Sequence, residues 1–168
     1  ERMRREAKMK QSGRTMEIQR LIGRSLRSSV NLDKLGDRSI TIDCDVIQAD
    51  GGTRTASITG GFVALCLALR NQDSDDFSST DAIKSFTGSV SLGKVDGEIV
   101  LDLDYEEDSN AETDMNFIMN DEGNFIEIQG TAEEGSFSQN ELNEMVALAT
   151  QGIKDIIAIQ KKTLNSYE

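Results

Sequence analysis

The spacing of the apolar residues changes once between residues 39 and 69, and this change constrains the fold more than any other feature. Apolar and polar side chains alternate over residues 39–46, as in a strand with one buried face. Over residues 56–69 the apolar side chains recur at helical spacing. Residues 50–55, Asp-Gly-Gly-Thr-Arg-Thr, therefore join a strand to a helix, and chemistry is expected at this joint.

The composition of this joint is that of an anion-binding site. Gly51 and Gly52 allow backbone N–H groups to come close to a bound group. Thr53, Arg54 and Thr55 then add hydroxyls and a permanent cation at the N-terminus of the helix. The segment is not a Walker loop, because the spacing and the lysine of that motif are absent. On these residues alone, a turn with an N-capping hydroxyl is an equally good interpretation.

The rest of the chain predicts an α+β fold in a single domain, residues 1–168. A chain of this length can bury a substantial core. A capping box, Ser138 to Glu141, begins the last amphipathic helix. Strands are predicted near residues 39–46, 85–92, 98–105, 115–119 and 124–129, and helices near residues 15–30, 54–70 and 138–163.

Charge is distributed unevenly along the chain, whose net charge is −12. Residues 1–40 contain eleven Lys and Arg against five Asp and Glu, whereas residues 41–168 contain seven against twenty-five. A basic segment on an otherwise acidic protein can hold a polyanion at one place. The first of these basic residues also fit an ordinary solvated tail.

Several classes of protein are disfavoured by what the sequence lacks. Without histidine, Ser-His-Asp chemistry and most histidine-based acid–base mechanisms are excluded. Cys44 and Cys66 lie in apolar patterns without zinc-site spacing, so buried free thiols are expected. No run approaches the ~20 apolar residues that span a bilayer, and no signal peptide is recognisable. We expect a cytoplasmic protein without a membrane partner.

Four blocks, in order and at compatible spacing, resemble the bacterial ribonuclease PH family. They are Ser12–Ile22, Cys44–Ser57, Glu107–Ser109 with Glu112–Asn116, and Glu127–Glu133. The resemblance implies a fold like domain 2 of ribosomal protein S5, with a mixed sheet packed against helices. It implies assembly as a hexameric ring, a trimer of dimers. It also implies that the first strands of the fold precede Glu1, so we expect an N-terminally truncated fragment.

The function implied by this resemblance is phosphate-dependent 3′-to-5′ exoribonuclease activity. Such a nucleotidyltransferase trims the 3′ ends of tRNA precursors, takes part in rRNA processing and releases nucleoside diphosphates by phosphorolysis. Its partner is RNA and not DNA, inorganic phosphate is its co-substrate, and Mg²⁺ or another divalent cation is its cofactor. One alternative is a catalytically inactive, RNA-binding ring subunit of the exosome-core type. Another is a phosphate-binding metabolic enzyme, which leaves the basic first forty residues unexplained.

The resemblance also implies three groups of site residues. Phosphate binding falls to Arg14, Gly52, Thr53 and Arg54. RNA binding falls to Arg2, Arg4 and Arg5. The catalytic and the metal-binding roles are assigned to the acidic pair Asp108 and Asp114. The acidic run over residues 106–114 contains three further carboxylates. They are expected to form a solvated surface turn, namely Glu106, Glu107 and Glu112.

Overall fold

A computed structural model of the protein describes residues 11–133 and 135–167. At its centre lies a four-stranded antiparallel sheet, in the spatial order β2-β1-β3-β4. The strands are β1 (Thr87–Val95), β2 (Glu98–Leu101), β3 (Thr113–Asn120) and β4 (Phe125–Ala132). Asp96 and Gly97, with φ of 50° and 83°, connect β1 to β2, as in a two-residue hairpin with an Asp-Gly turn. Both predicted hairpins are therefore present.

Helices cover the two faces of this sheet. Within the described ranges they are α1 (Gly13–Ser28), α2 (Leu32–Leu35), α3 (Thr53–Arg70), α4 (Ser79–Ala82), α5 (Tyr105–Asn110) and α6 (Gln139–Asn165). The capping box predicted at Ser138 and Glu141 is present at the start of α6. The predicted α+β class is confirmed. None of the helices in these ranges combines the length and the apolar character needed to cross a membrane.

Alternate residues of the central strands face different helices. On one face, Val90 and Phe117 pack against α6, together with Met145 and Ile153. On the other face, Ile118 packs between Leu21 of α1 and Ile58 of α3. Because successive side chains point into two different buried layers, most residues of β1 and β3 are buried on both sides of the sheet. The result is a three-layer core in which α3 runs directly beside β1.

The C-terminal half of α6 connects the layers. The Nε2 atom of Gln160 donates to the backbone oxygens of Thr59 in α3, at 3.0 Å, and of Thr87 in β1, at 2.9 Å. Leu164 is buried in the cluster that contains Phe62 of α3. One helix therefore holds both the N-terminal helical layer and the sheet.

The strand predicted at residues 39–46 is wrong as a sheet strand. Alternation is present, since Ile40, Ile42 and Cys44 are half-buried while their neighbours are exposed. However, this segment pairs with no strand in the described part of the chain. Instead Ile42 and Cys44 lie against Gly61 of α3. A strand pattern gives the buried face of a segment, but a ladder also needs a neighbouring strand to exchange hydrogen bonds.

Two further predictions need correction. The predicted strand 98–105 ends at Leu101, because Asp102 adopts a left-handed conformation with φ of 63° and the chain enters α5 at Tyr105. Both cysteines are free, and Cys66 is buried with a pKa raised to about 12, mainly by burial. Cys44 is only half-buried, so the prediction of a buried thiol is right for Cys66 and overstated for Cys44.

Candidate active site

The joint before α3 depends on two glycines for different reasons. Gly52 is the N-cap of α3 and has a left-handed φ of 68°, which glycine adopts at little cost. Gly51 lies against another part of the backbone, where a Cβ atom would be 1.9 Å from the carbonyl oxygen of Leu103. The glycine pair therefore allows this turn to sit directly against the chain that leads into α5.

The N-terminus of α3 has no side-chain cap within the described residues. Thr53 is its first residue, and the Thr55 hydroxyl donates to the Gly52 oxygen instead of accepting from an N–H group. An N-capping hydroxyl is therefore not the reason for the threonines here. The first N–H groups and the helix dipole favour a negatively charged group at this end.

Asp50 fastens this turn to α5. Its Oδ1 atom accepts hydrogen bonds from the backbone N–H groups of Gly51, at 2.9 Å, and Tyr105, at 2.7 Å. Asp104 and Glu107 form a capping box that begins α5. These bonds fix the acidic helix, which carries Asp108, relative to the start of α3.

A polar pocket of about 420 Å³ opens beside the first turn of α3. Arg54 contributes a guanidinium group whose Nη1 atom is 3.5 Å from Oε1 of Glu17 in α1. Asp114 enters from β3, where it is paired between Gly93 of β1 and Thr131 of β4. The residues that line the pocket are Glu17, Arg54, Asp114, Asn116, Ile128, Gln129, Gly130 and Thr131.

The pKa of Asp114 is raised above its ordinary value. Burial of the carboxyl group is the largest cause, and the negative charges of Asp108 and Glu133 act in the same direction. The positive charge of Arg54 opposes them. The charge of Asp108 thus disfavours ionisation of Asp114, and a nearby cation would oppose this effect.

Two further acids of this run, Glu107 and Glu112, have structural partners. Glu107 caps α5, and Glu112 accepts from the Gly97 N–H group and pairs with Lys94. Lys94 also lies 2.9 Å from Glu141 at the start of α6. Glu107 therefore caps a helix and Glu112 is paired, whereas both were predicted to lie in a solvated surface turn.

The predicted site residues come together only in part. Arg54 and Asp114 share the pocket, Gly52 and Thr53 begin the helix that carries Arg54, and the charge of Asp108 acts on Asp114. Arg14 is exposed in the first turn of α1 and is not among the described residues that line the pocket. It lies three residues before Glu17, so the two share one face of the helix.

Three predicted residues cannot be placed, and two were missed. Arg2, Arg4 and Arg5 lie outside the described residues. Glu17 and Asp50 were not predicted as site residues. Glu17 lies three residues after Arg14, and Asp50 directly precedes the glycine pair. Their nearness in sequence to predicted site residues was the only feature that could have indicated them.

A metal ion fits this site only as a partly hydrated ion. No group of three or more His, Cys, Asp and Glu side chains suited to a metal gathers within residues 11–133 and 135–167. Asp108 and Asp114 supply two hard oxygen ligands whose repulsion a cation would relieve. Mg²⁺ in phosphoryl-transfer sites commonly uses one or two carboxylates, with waters and substrate phosphates completing its shell. The residues present are compatible with that kind of ion.

Comparison of the sequence with known proteins places this chain in one class. The profile described as "3′ exoribonuclease family, domain 1" matches residues 1–70, and that described as "3′ exoribonuclease family, domain 2" matches residues 85–152. The sequence thus places the chain in the 3′ exoribonuclease family. Ribonuclease PH of Neisseria meningitidis serogroup C is 57% identical over 166 residues, which cover 98% of this chain and 69% of that protein. The chain belongs to the ribonuclease PH family.

Further relatives agree with this assignment. Ribonuclease PH of Listeria innocua is 54% identical over 163 residues, covering 96% of this chain and 66% of that protein. Among solved structures, an archaeal exosome core superposes with a TM-score of 0.67 at 18% identity, over 88% of this chain and 64% of that one. An Archaeoglobus fulgidus exosome with RNA bound to its active site gives 0.65 at 16% identity, over 86% and 61%. At these identities the structures support the predicted fold alone.

Proposed function

We propose that this chain is a phosphate-dependent 3′-to-5′ exoribonuclease that removes nucleotides from tRNA precursors and releases nucleoside diphosphates. The observation that carries the proposal is the shared pocket of Arg54 and Asp114 at the N-terminus of α3. It places a guanidinium group and a helix dipole, which favour an anion, beside a carboxyl group with a raised pKa. The tRNA substrate rests on the family resemblance.

Phosphate is assigned to the start of α3. The N–H groups at Gly52 and Thr53 face this end of the helix, and Arg54 adds a charge-assisted fork. Arg14 is assigned as a second cation from α1, on the face that also carries Glu17. Two guanidinium groups and a helix N-terminus together would offset the charge of one phosphate.

The reaction breaks one phosphate ester bond and forms one phosphoanhydride bond. An oxygen of inorganic phosphate attacks the phosphorus of the last phosphodiester, and the bond from that phosphorus to the 3′ oxygen of the preceding nucleotide breaks. The terminal nucleotide leaves as a diphosphate, and the 3′ oxygen takes a proton. Water is not consumed, so the product distinguishes this reaction from hydrolysis, which gives a monophosphate.

Asp114 is assigned to the leaving 3′ oxygen. Burial and the charge of Asp108 raise the pKa of Asp114, which is the direction that a proton donor requires. As carboxylates, Asp108 and Asp114 would hold Mg²⁺, which stabilises developing negative charge when bound. Asp108 has the supporting position in either case, because its charge acts on Asp114 and α5 is fixed to the phosphate turn.

RNA is the proposed partner, held by the basic N-terminal segment, including Arg2, Arg4 and Arg5. The Archaeoglobus exosome with RNA at its active site, which has the same fold, supports this partner class. We further propose a hexameric ring and a cytoplasmic location, as the resemblance implies. Residues 1–168 are proposed to form one domain, since the buried cluster of Leu21, Ile58 and Ile118 joins both matched regions.

A second candidate is an inactive ring subunit of the exosome-core type, which the shared fold favours. Incubation of the full chain with a 3′-extended RNA, with and without inorganic phosphate, distinguishes the two. We expect nucleoside diphosphates only with phosphate, and strong loss of this release in Arg54→Ala. Release of monophosphates without phosphate would refute phosphorolysis. Absence of release in both conditions, with RNA still bound, would favour the inactive subunit.

A further inference from the structure

Glu17 is an acidic residue within the proposed phosphate site. Its Oε1 atom lies 3.5 Å from Nη1 of Arg54, and both residues line the pocket that contains Asp114. The Glu17 side chain is 54% exposed, whereas that of Arg54 is 23% exposed. An ion pair this solvated is weak, and its long glutamate side chain can leave Arg54 at low cost.

A carboxylate and a phosphate make the same demand on a guanidinium group. Both present oxygen atoms that accept its N–H groups, and both gain from its fixed positive charge. Arg54 lies at the start of α3, so a phosphate bound at that helix end would seek the guanidinium that Glu17 contacts. The carboxylate of Glu17 therefore stands where an oxygen of the phosphate would bind.

The charge balance of the pocket strengthens this competition. Among the described residues that line it, Glu17 and Asp114 are acidic and Arg54 is basic. Beyond the lining, Asp108 and Glu133 add negative charge near Asp114. A second anion thus enters a site already rich in carboxylates, and removal of one of them should favour its entry.

We propose that Glu17 is a positioning residue that competes with inorganic phosphate for Arg54. Glu17 holds the guanidinium group of Arg54 in the pocket until phosphate displaces the Glu17 carboxylate. This competition weakens phosphate binding. The same competition acts on the terminal phosphate of the nucleoside diphosphate product and favours its release. This inference rests on the proposed phosphate site and adds to it a control of phosphate affinity.

The test is a calorimetric titration of the full chain with inorganic phosphate, together with phosphate-dependent kinetics on a 3′-extended RNA. Glu17→Gln keeps the shape of the side chain and removes its charge. We expect the Kd and the KM for phosphate to fall about two- to fivefold, the range for loss of an exposed ion pair of about 0.4–1 kcal/mol, without a rise in kcat. Glu17→Asp keeps the charge on a shorter side chain, so its Kd and KM for phosphate should lie between those of the unmodified protein and Glu17→Gln.

Glu144→Gln is the matched control, because it removes the same charge from an exposed position on α6. It should bind phosphate as the unmodified protein does, and all variants should melt at similar temperatures. Phosphate binding by Glu17→Gln that is unchanged or weaker would overturn the inference. Phosphate binding that survives Arg54→Ala in an otherwise unmodified chain would instead refute the proposed phosphate site, so the two failures are distinct.

Discussion

Gly51→Ala tests whether the position of the phosphate turn, and not only its composition, matters for activity. The added Cβ atom would lie 1.9 Å from the Leu103 carbonyl oxygen, whereas ordinary Cβ contacts begin near 3.4 Å. The turn must therefore shift by about 1.5 Å, because the obstacle is backbone and cannot rotate away. A 1 Å misplacement of a positioned group costs roughly 10²-fold in rate, or about 2.7 kcal/mol.

The assay is initial-rate release of nucleoside diphosphates at varied phosphate concentration, with thermal melting measured alongside. We expect kcat/KM for phosphate to fall about 10²-fold in Gly51→Ala. Gly60→Ala is the matched control, since it lies within α3, is exposed and has nothing within 4 Å of the added Cβ atom. It should keep full activity and stabilise the fold by about 0.5–1 kcal/mol. Full activity in Gly51→Ala would refute the reasoning.

Two further predictions concern Asp114 and the basic segment. In Asp114→Asn, turnover should fall by about 10²–10⁴ in the nucleotide-release assay while RNA and phosphate binding persist. Because the folded-state pKa of Asp114 is raised, its carboxyl group destabilises the fold as pH rises through that pKa. The variant should therefore melt higher than the unmodified protein at pH 7, and this gain should vanish below the ordinary pKa of aspartate; normal turnover would exclude the catalytic role. If residues 1–40 neutralise about four RNA phosphates, log affinity should fall with log salt at a slope of roughly −3 in a binding titration. A flat profile would show that this segment does not govern RNA binding.

The local sequence pattern predicted most of the fold, and its failure at residues 39–46 has a simple reason. The spacing of apolar residues predicted the long helices and both hairpins, because those elements are stabilised by contacts between near neighbours in sequence. Residues 39–46 show the expected alternation in burial, yet they form no ladder. Strand pairing depends on a partner elsewhere in the chain, which the pattern of one segment does not specify.

Helix α5 shows how charge can hide structure. Glu106, Glu107 and Glu112 were predicted to lie in a solvated surface turn, although Asp104 and Glu107 have the spacing of a capping box. The same interpretation overlooked Asp50, whose bond to the Tyr105 N–H group joins residues 55 positions apart. Side-chain contacts over such distances follow from the tertiary fold and have no periodic signal.

The residues of the candidate site were predicted mainly from the resemblance to a family, and less from the local chemistry of the sequence. Glycines, hydroxyls and Arg54 at a helix start indicated an anion site, but nothing local indicated that Asp114 would share its pocket. That proximity arises because β3 lies beside β1, against which α3 packs. Glu17 comes to Arg54 from α1 by the same packing, so only the assembled layers bring the two acids to one guanidinium group.

The reach of α6 has a consequence for how the protein unfolds. Gln160 bonds to α3 and β1 at once, and Leu164 is buried against α3, in a stretch that lies beyond both family matches. Loss of these contacts would remove the Gln160 donor from the buried Thr87 oxygen and the partly buried Thr59 oxygen. It would also expose apolar surface on the helical layer. We expect the helical layer and the sheet to melt in a single cooperative transition, with amide exchange in α3 slowed by residues a hundred positions away.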